Sequence, residues 1–143
     1  RILDLDFGGA NELTSLIITG AAEDLVNKGG LAELVLGWEL VKYGSSRIRH
    51  DLFYWENVGE GTTSEVDYIV AHQMKVLPIE CKAGTSGKMK SLRLFMRNKH
   101  ISHAIRCSLE NFSQLVKKKK KESGESKYIR ICPLYAVSSI ANL

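Results

Sequence analysis

The clearest pattern in the chain lies between Glu65 and Lys82, EVDYIVAHQMKVLPIECK. Two short apolar runs rich in β-formers flank a polar step at His72–Lys75, which predicts two strands, 65–71 and 75–82, joined by a turn. Strand side chains alternate faces, so Glu80 and Lys82 share one face while Ile79 and Cys81 share the other. Asp67 sits on the first strand. A turn made of Gln73 and Met74 alone would set His72 against Lys75 and bring Asp67 opposite Glu80. Gln-Met is not a favoured two-residue turn, and a longer turn would shift that pairing. His72 is expected as a turn residue in solvent.

Other segments are placed by the same patterning. Ala22–Tyr43 predicts a helix, interrupted by Gly29-Gly30 and firm from Leu31, with Leu31, Leu34, Val35, Trp38 and Val41 at helical spacing and Gly44 as its stop. Spacing does not decide whether Glu33 or Glu39 faces inward. Asp51–Glu56 predicts a strand and Asn57–Ser64 a loop, which makes an antiparallel meander of three strands. Lys90–Lys99 predicts a basic amphipathic helix with Leu92, Phe95 and Met96 inside. His103–Leu109 predicts a strand, Asn111–Val116 a turn or short helix, and Tyr128–Tyr135 a strand that Pro133 ends or places at an edge. Ala136–Leu143 predicts a short helix. Arg1–Phe7 and Leu13–Thr19 are short apolar stretches without identifiable chemistry. The loop Ala83–Lys88 lacks the full phosphate-loop spacing and has no strand–loop–helix unit around it, so ATP binding within this chain is rejected.

Length and composition narrow the class. The 143 residues fit a single domain spanning 1–143, and 44% hydrophobic with 25% charged residues fits a globular protein. No apolar run approaches 18 residues, so no membrane span is expected. The chain opens on RILDLDF without Met or a signal pattern, which suggests a piece of a longer protein. Cys81, Cys107 and Cys132 are odd in number and scattered, which argues against a disulfide framework and for a reduced, cytoplasmic compartment. The net charge of +4 permits a polyanionic partner, although much of it comes from the lysine run 117–121, which reads as a solvated loop.

The charged residues on the central strands admit a chemical reading. Magnesium or manganese takes oxygen ligands, commonly one or two carboxylates plus water. Asp67 and Glu80 can supply the carboxylates and the Cys81 backbone carbonyl a further oxygen. Lys82 beside them can orient or help deprotonate water and stabilise a pentavalent phosphate. An inward Glu33 would complete the acidic cluster. Lys88, Lys90, Arg93 and Arg97 can contact a phosphate backbone, which needs several cations rather than one special residue. The plainer alternatives are a salt-bridged sheet face and a solvated helix face.

The order Glu33, Asp67, Glu80-x-Lys82 resembles the PD-(D/E)XK nuclease superfamily. More narrowly, LDLDFGG, GGLAELVLGWELVKYG, LFYWEN, SEVDYIV, VLPIECKAG, KSLRLF and ICPLYAVSSI resemble the domain of unknown function called DUF4143, which follows an AAA-type ATPase domain in many bacterial and archaeal proteins. The likeness implies a restriction-endonuclease-like α/β fold, a central mixed β-sheet flanked by helices. It also implies Asp67 and Glu80 as metal ligands, Lys82 as catalytic lysine and Glu33 as the helical carboxylate. Val66 stands where the superfamily usually has Pro, Cys81 where Val is common, and Asp6-Phe7-Gly8 departs from the usual Asp-Gly-Leu. The expected function is Mg²⁺-dependent hydrolysis of DNA by a domain attached to an N-terminal ATPase. The alternatives are a non-catalytic module that binds nucleic acid or protein and regulates that ATPase, or a structural domain mediating homo-oligomer contacts.

Overall fold

The computed structural model describes residues 2–4, 28–43, 52–59, 62–82, 88–117 and 126–142. They form β1 (Ile2–Asp4), α1 (Lys28–Tyr43), β2 (Phe53–Gly59), β3 (Thr62–His72), β4 (Lys75–Cys81), α2 (Lys90–Asn98), β5 (His103–Ser108), β6 (Ser113–Lys117) and β7 (Lys127–Pro133). A 3₁₀ segment over Leu134–Asn142, kinked at Ala136, follows β7. Six longer strands and the three-residue β1 make one open mixed sheet in the order β1-β2-β3-β4-β5-β7-β6. β1 to β4 pair antiparallel, β4-β5 and β5-β7 pair parallel, and β6 closes the other edge antiparallel to β7. The mixed α/β class expected from the sequence is present. The stretch Leu13–Thr19, the helix portion before Lys28, the Gly44 stop, the loop residues 83–87 and most of the lysine run lie outside the described residues.

The β3–β4 hairpin adopts the two-residue turn that the sequence made conditional. His72 pairs with Lys75 and Tyr68 with Ile79. Gln73 (φ 48°) and Met74 (φ 61°) both take positive φ, as a type I′ turn requires. Neither residue suits that region, which costs an ordinary L-residue about 1–2 kcal/mol. Gln73→Asn with Met74→Gly is therefore expected to stabilise the domain by about 1 kcal/mol, read as a higher urea midpoint at unchanged m-value. An unchanged or lower midpoint would show that these side chains serve the fold in another way.

Two apolar layers sandwich the sheet. α1 and the 3₁₀ segment cover one face, where Leu36, Leu40, Val137 and Ile140 pack with Tyr68, Ile79, Cys81, Ile105, Cys107 and Cys132. α2 covers the other with Leu92, Phe95 and Met96 against Trp55, Val66, Ile69, Ala104 and Ile129. Phe95 meets Trp55 edge-on at 5.2 Å. None of the three cysteines is in a disulfide, and all are buried, as small apolar residues would be.

Several expectations need correction. α1 runs through Gly29 and Gly30 rather than starting at Leu31. Its inward stripe is Glu33, Leu36, Gly37 and Leu40, whereas Val35 and Val41 from the expected stripe are exposed. The helix is apolar nearly all round, so spacing offered two stripes and burial chose the other. β2 and β3 continue to Gly59 and from Thr62, through most of the expected loop. Residues 113–117 form strand β6 rather than a turn or helix, because the β7 edge supplies ladder partners that local pattern cannot reveal.

Candidate active site

The register of β2 on β3 slips at the site. Phe53 pairs with Ile69 but Trp55 with Val66, so Tyr54 alone opposes both Asp67 and Tyr68. Such a bulge bends its strand and re-aims a side chain. The β3–β4 ladder stops at Tyr68–Ile79, while β4 goes on pairing with β5 to Cys81–Cys107. The Cys81 N–H, left beyond the end of that ladder, is met by the Asp67 side chain, whose Oδ2 accepts it at 2.6 Å. The Cys81 side chain packs in the core, within electrostatic reach of Asp67 and Glu33.

Glu80 and Lys82 share a face, as their alternation requires, and join through Lys82 Nζ and Glu80 Oε1 at 2.7 Å. Glu80 is only 4% exposed, and its Oε2 is buried without a hydrogen-bond partner among the described residues. Glu33 reaches the site because it lies on the inward stripe of α1, and the Tyr68 hydroxyl donates to the Glu33 carbonyl at 2.8 Å, tying α1 to the bulge. Glu39 instead pairs with Lys42 on the surface at 2.8 Å. A cavity of about 200 Å³ opens here, lined by Glu33, Tyr54, Glu65, Val66, Asp67 and Tyr68.

The charges act on one another. Burial, then the Glu80 charge, raises the Asp67 carboxyl from 3.8 to about 7, against the opposing Cys81 hydrogen bond and Lys82. Burial raises Glu80 despite its Lys82 hydrogen bond. Burial and Asp67 raise Glu33. Desolvation alone would lower Lys82, but its bond to Glu80 and the charges of Glu80, Asp67 and Glu33 together raise it. Burial and the neighbouring carboxylates push the Cys81 thiol up to about 12, so it stays protonated. The structure thus brings Glu33, Asp67, Glu80 and Lys82 into one coupled group and adds Glu65, which sequence reading passed over.

The residues fit a divalent cation of the magnesium type. Among the described residues, no three His, Cys, Asp or Glu side chains converge to hold a metal by themselves. Two carboxylates with unspent acceptor capacity, one ending in an orphaned buried oxygen, suit an ion that keeps several waters rather than one that needs a full protein cage. Lys88, Lys90, Arg93 and Arg97 are all exposed, the last three on the outer side of α2, away from its buried Leu92, Phe95 and Met96.

Arg106 was not flagged in the sequence. It pairs with Glu80 in the parallel β4–β5 register, so it rises from the same face, and it is 4% exposed. Its Nη2 lies 3.5 Å from Glu110 Oε2, and its Nε and Nη2 lack hydrogen-bond partners among the described residues. Glu110 in turn accepts from the Ser108 hydroxyl at 3.1 Å. A buried arginine this poorly satisfied is a burden on the fold. Arg106→Met is expected to leave the domain as stable as the parent or about 1 kcal/mol more stable. A fall of more than about 2 kcal/mol in denaturant melts would mean the guanidinium is well paired.

Among the described residues, no helix is long and apolar enough to cross a membrane. No curated protein matches the chain, and no solved structure matches it. The model of the family described as "Domain of unknown function (DUF4143)" matches residues 28–136, which contain α1 with Glu33, the bulged β3 with Asp67, and β4 leading to Glu80 and Lys82. With most of its length covered by that match, the chain belongs to the DUF4143 family.

Proposed function

We propose that this domain is a metal-dependent nuclease that hydrolyses DNA phosphodiester bonds, with Asp67 and Glu80 as the residues that would hold Mg²⁺ or Mn²⁺. The observation that carries this reading is the coupled set of a desolvated Asp67, a buried Glu80 with a free Oε2, and Lys82 bound to that same carboxylate. When bound, the cation supplies charge neutralisation at the phosphate and a more acidic water. The sheet order supports the reading as well. Glu80 and Lys82 stand at the carboxyl end of β4, where parallel strands of open α/β sheets place their ligands.

The chain's own residues divide the remaining work. Lys82 is held as an ammonium by Glu80, so it acts at neutral pH as a cation and hydrogen-bond donor toward phosphate oxygens rather than as a base. Glu33 faces the cavity with its carboxyl held above the usual glutamate range by burial and the Asp67 charge, which suits it to exchange a proton with a water there. The bulge fixes Asp67 through the Cys81 N–H, which leaves its orientation independent of substrate. The exposed cations of α2 offer phosphate-backbone contacts. A PD-(D/E)XK-type, restriction-endonuclease-like arrangement is consistent with the sequence order of the four residues and with helices on both faces of a mixed sheet. The resemblance of the sequence to domains that follow AAA-type ATPases makes such an ATPase the proposed partner.

The direct test is incubation of the domain with supercoiled plasmid and with single-stranded DNA, in Mg²⁺ or Mn²⁺ and in chelator. Cleavage that needs the divalent ion is expected. No cleavage of either substrate in any divalent ion would overturn the catalytic reading in favour of a non-catalytic module.

A further inference from the structure

The opposite end of the sheet carries a second, larger opening of about 990 Å³. Its origin is visible in the ladder. β4 and β5 pair only from Ile79–Ile105 onward, and Pro78, just before that point, has no N–H to extend the pairing. The first residues of β4 therefore stand apart from the start of β5, and a cleft opens between the β3–β4 hairpin, the end of α2 and the first residues of β5 and β7. Lys75 on its wall is five residues from Glu80, roughly 17 Å along the strand.

The chemistry of this cleft is one-sided. Lys75, Lys99 and Arg130 line it, none of them in an ion pair among the described residues, and no described lining residue is acidic. The His103 ring stacks on Tyr128 with centroids 5.4 Å apart and planes 18° apart, and His103 is exposed. His72, expected from the sequence to stand in solvent, is half-buried, and its Nε2 is enclosed without a hydrogen-bond partner. Free cations ask for phosphates. A flat aromatic pair with an open face asks for an unstacked ring, and an enclosed ring nitrogen asks for a hydrogen-bonding edge. An extended nucleic-acid strand with exposed bases supplies all three, whereas a duplex keeps its base faces stacked.

We propose that this cleft is a binding site for single-stranded nucleic acid, separate from the carboxylate site at the other end of β4. Phosphates lie against Lys75, Lys99 and Arg130, and a base stacks on the His103–Tyr128 pair. The proposal does not depend on hydrolysis at Asp67 and Glu80.

The test is fluorescence anisotropy of a dye-labelled oligothymidylate of about ten nucleotides, titrated with the domain in chelator so that no cleavage can occur. Lys75, Lys99 and His103 are exposed, so their replacement should leave the fold intact. Lys75→Glu with Lys99→Glu is expected to weaken binding at least 10-fold and to flatten its salt dependence, and His103→Ala to weaken it about 10-fold. Unchanged affinity in the double variant would overturn the proposal. So would loss confined to Arg93→Glu with Arg97→Glu, which would put the strand on α2. Displacement of the oligonucleotide by equimolar thymidine monophosphate would also overturn it, because the occupant would then be a free nucleotide.

Discussion

Lys82→Ala is expected to lower Mg²⁺-dependent DNA cleavage by about 10²–10⁴-fold, the range typical of a positioned catalytic group. The Lys82 ammonium is 2.7 Å from Glu80 Oε1, and its side chain keeps about a third of its surface open to solvent. It is therefore anchored at one end of its donor set and open at the other. Alanine removes the cation and leaves the Glu80 carboxylate, 4% exposed, without its partner. Glu80 would then hold its proton more tightly, since burial already raises it and Lys82 is what opposes that. A bound divalent ion offsets this loss, so Mn²⁺ affinity should fall much less than the cleavage rate. Lys82→Arg should recover part of the rate, because the charge returns in a wider fork. Cleavage that survives Lys82→Ala at the parent rate would remove this residue from the mechanism.

The second large effect is on stability against pH, measured in chelator. The Asp67 carboxyl is pushed up to about 7 in the fold, against the 3.8 usual for an aspartate in water. The folded state therefore keeps a proton that the unfolded chain has already released, and stability falls as pH rises between those two values. Glu33 and Glu80 are raised as well and steepen the same slope. For Asp67 alone the full difference is about 4 kcal/mol at most, reached above pH 7 and reduced by its partial contact with solvent. The metal-free domain should thus be more stable near pH 5 than near pH 8. Asp67→Asn should flatten the profile and stabilise the metal-free domain at pH 8, since the amide oxygen can still accept the Cys81 N–H. Mn²⁺ should restore the parent at pH 8 and do little for the variant. A profile that rises from pH 5 to pH 8 would contradict the burial and coupling assigned to these carboxylates.

The parts of this site legible in the sequence were those that depend on alternation. Glu80 and Lys82 share a face because they are two apart on a strand, and their ion pair follows. The buried face of α2 followed from Leu92, Phe95 and Met96 at helical spacing. The hairpin register was legible only as one of two outcomes, because Gln73-Met74 is a poor type I′ pair that the surrounding ladder nevertheless imposes. What patterning could not give was set by tertiary pairing. The bulge at Asp67 and Tyr68 exists only relative to Tyr54 on the neighbouring strand. The choice of Glu33 over Glu39 turned on which side of an apolar helix met the sheet. Arg106 lay in a run, HAIRCS, that read as an ordinary strand, and only its burial beside Glu80 marks it. Strand β6 carries no strong strand pattern and forms because β7 offers it an edge.

We propose that Asp67 and Glu80 hold one divalent cation between them. The most direct measurement is anomalous diffraction from crystals of the domain soaked in Mn²⁺. One anomalous peak is expected within bonding distance, about 2 Å, of a carboxylate oxygen of each residue, and absent in Asp67→Ala. Crystals that take up Mn²⁺ elsewhere, or show no peak between these two side chains at saturating metal, would contradict it.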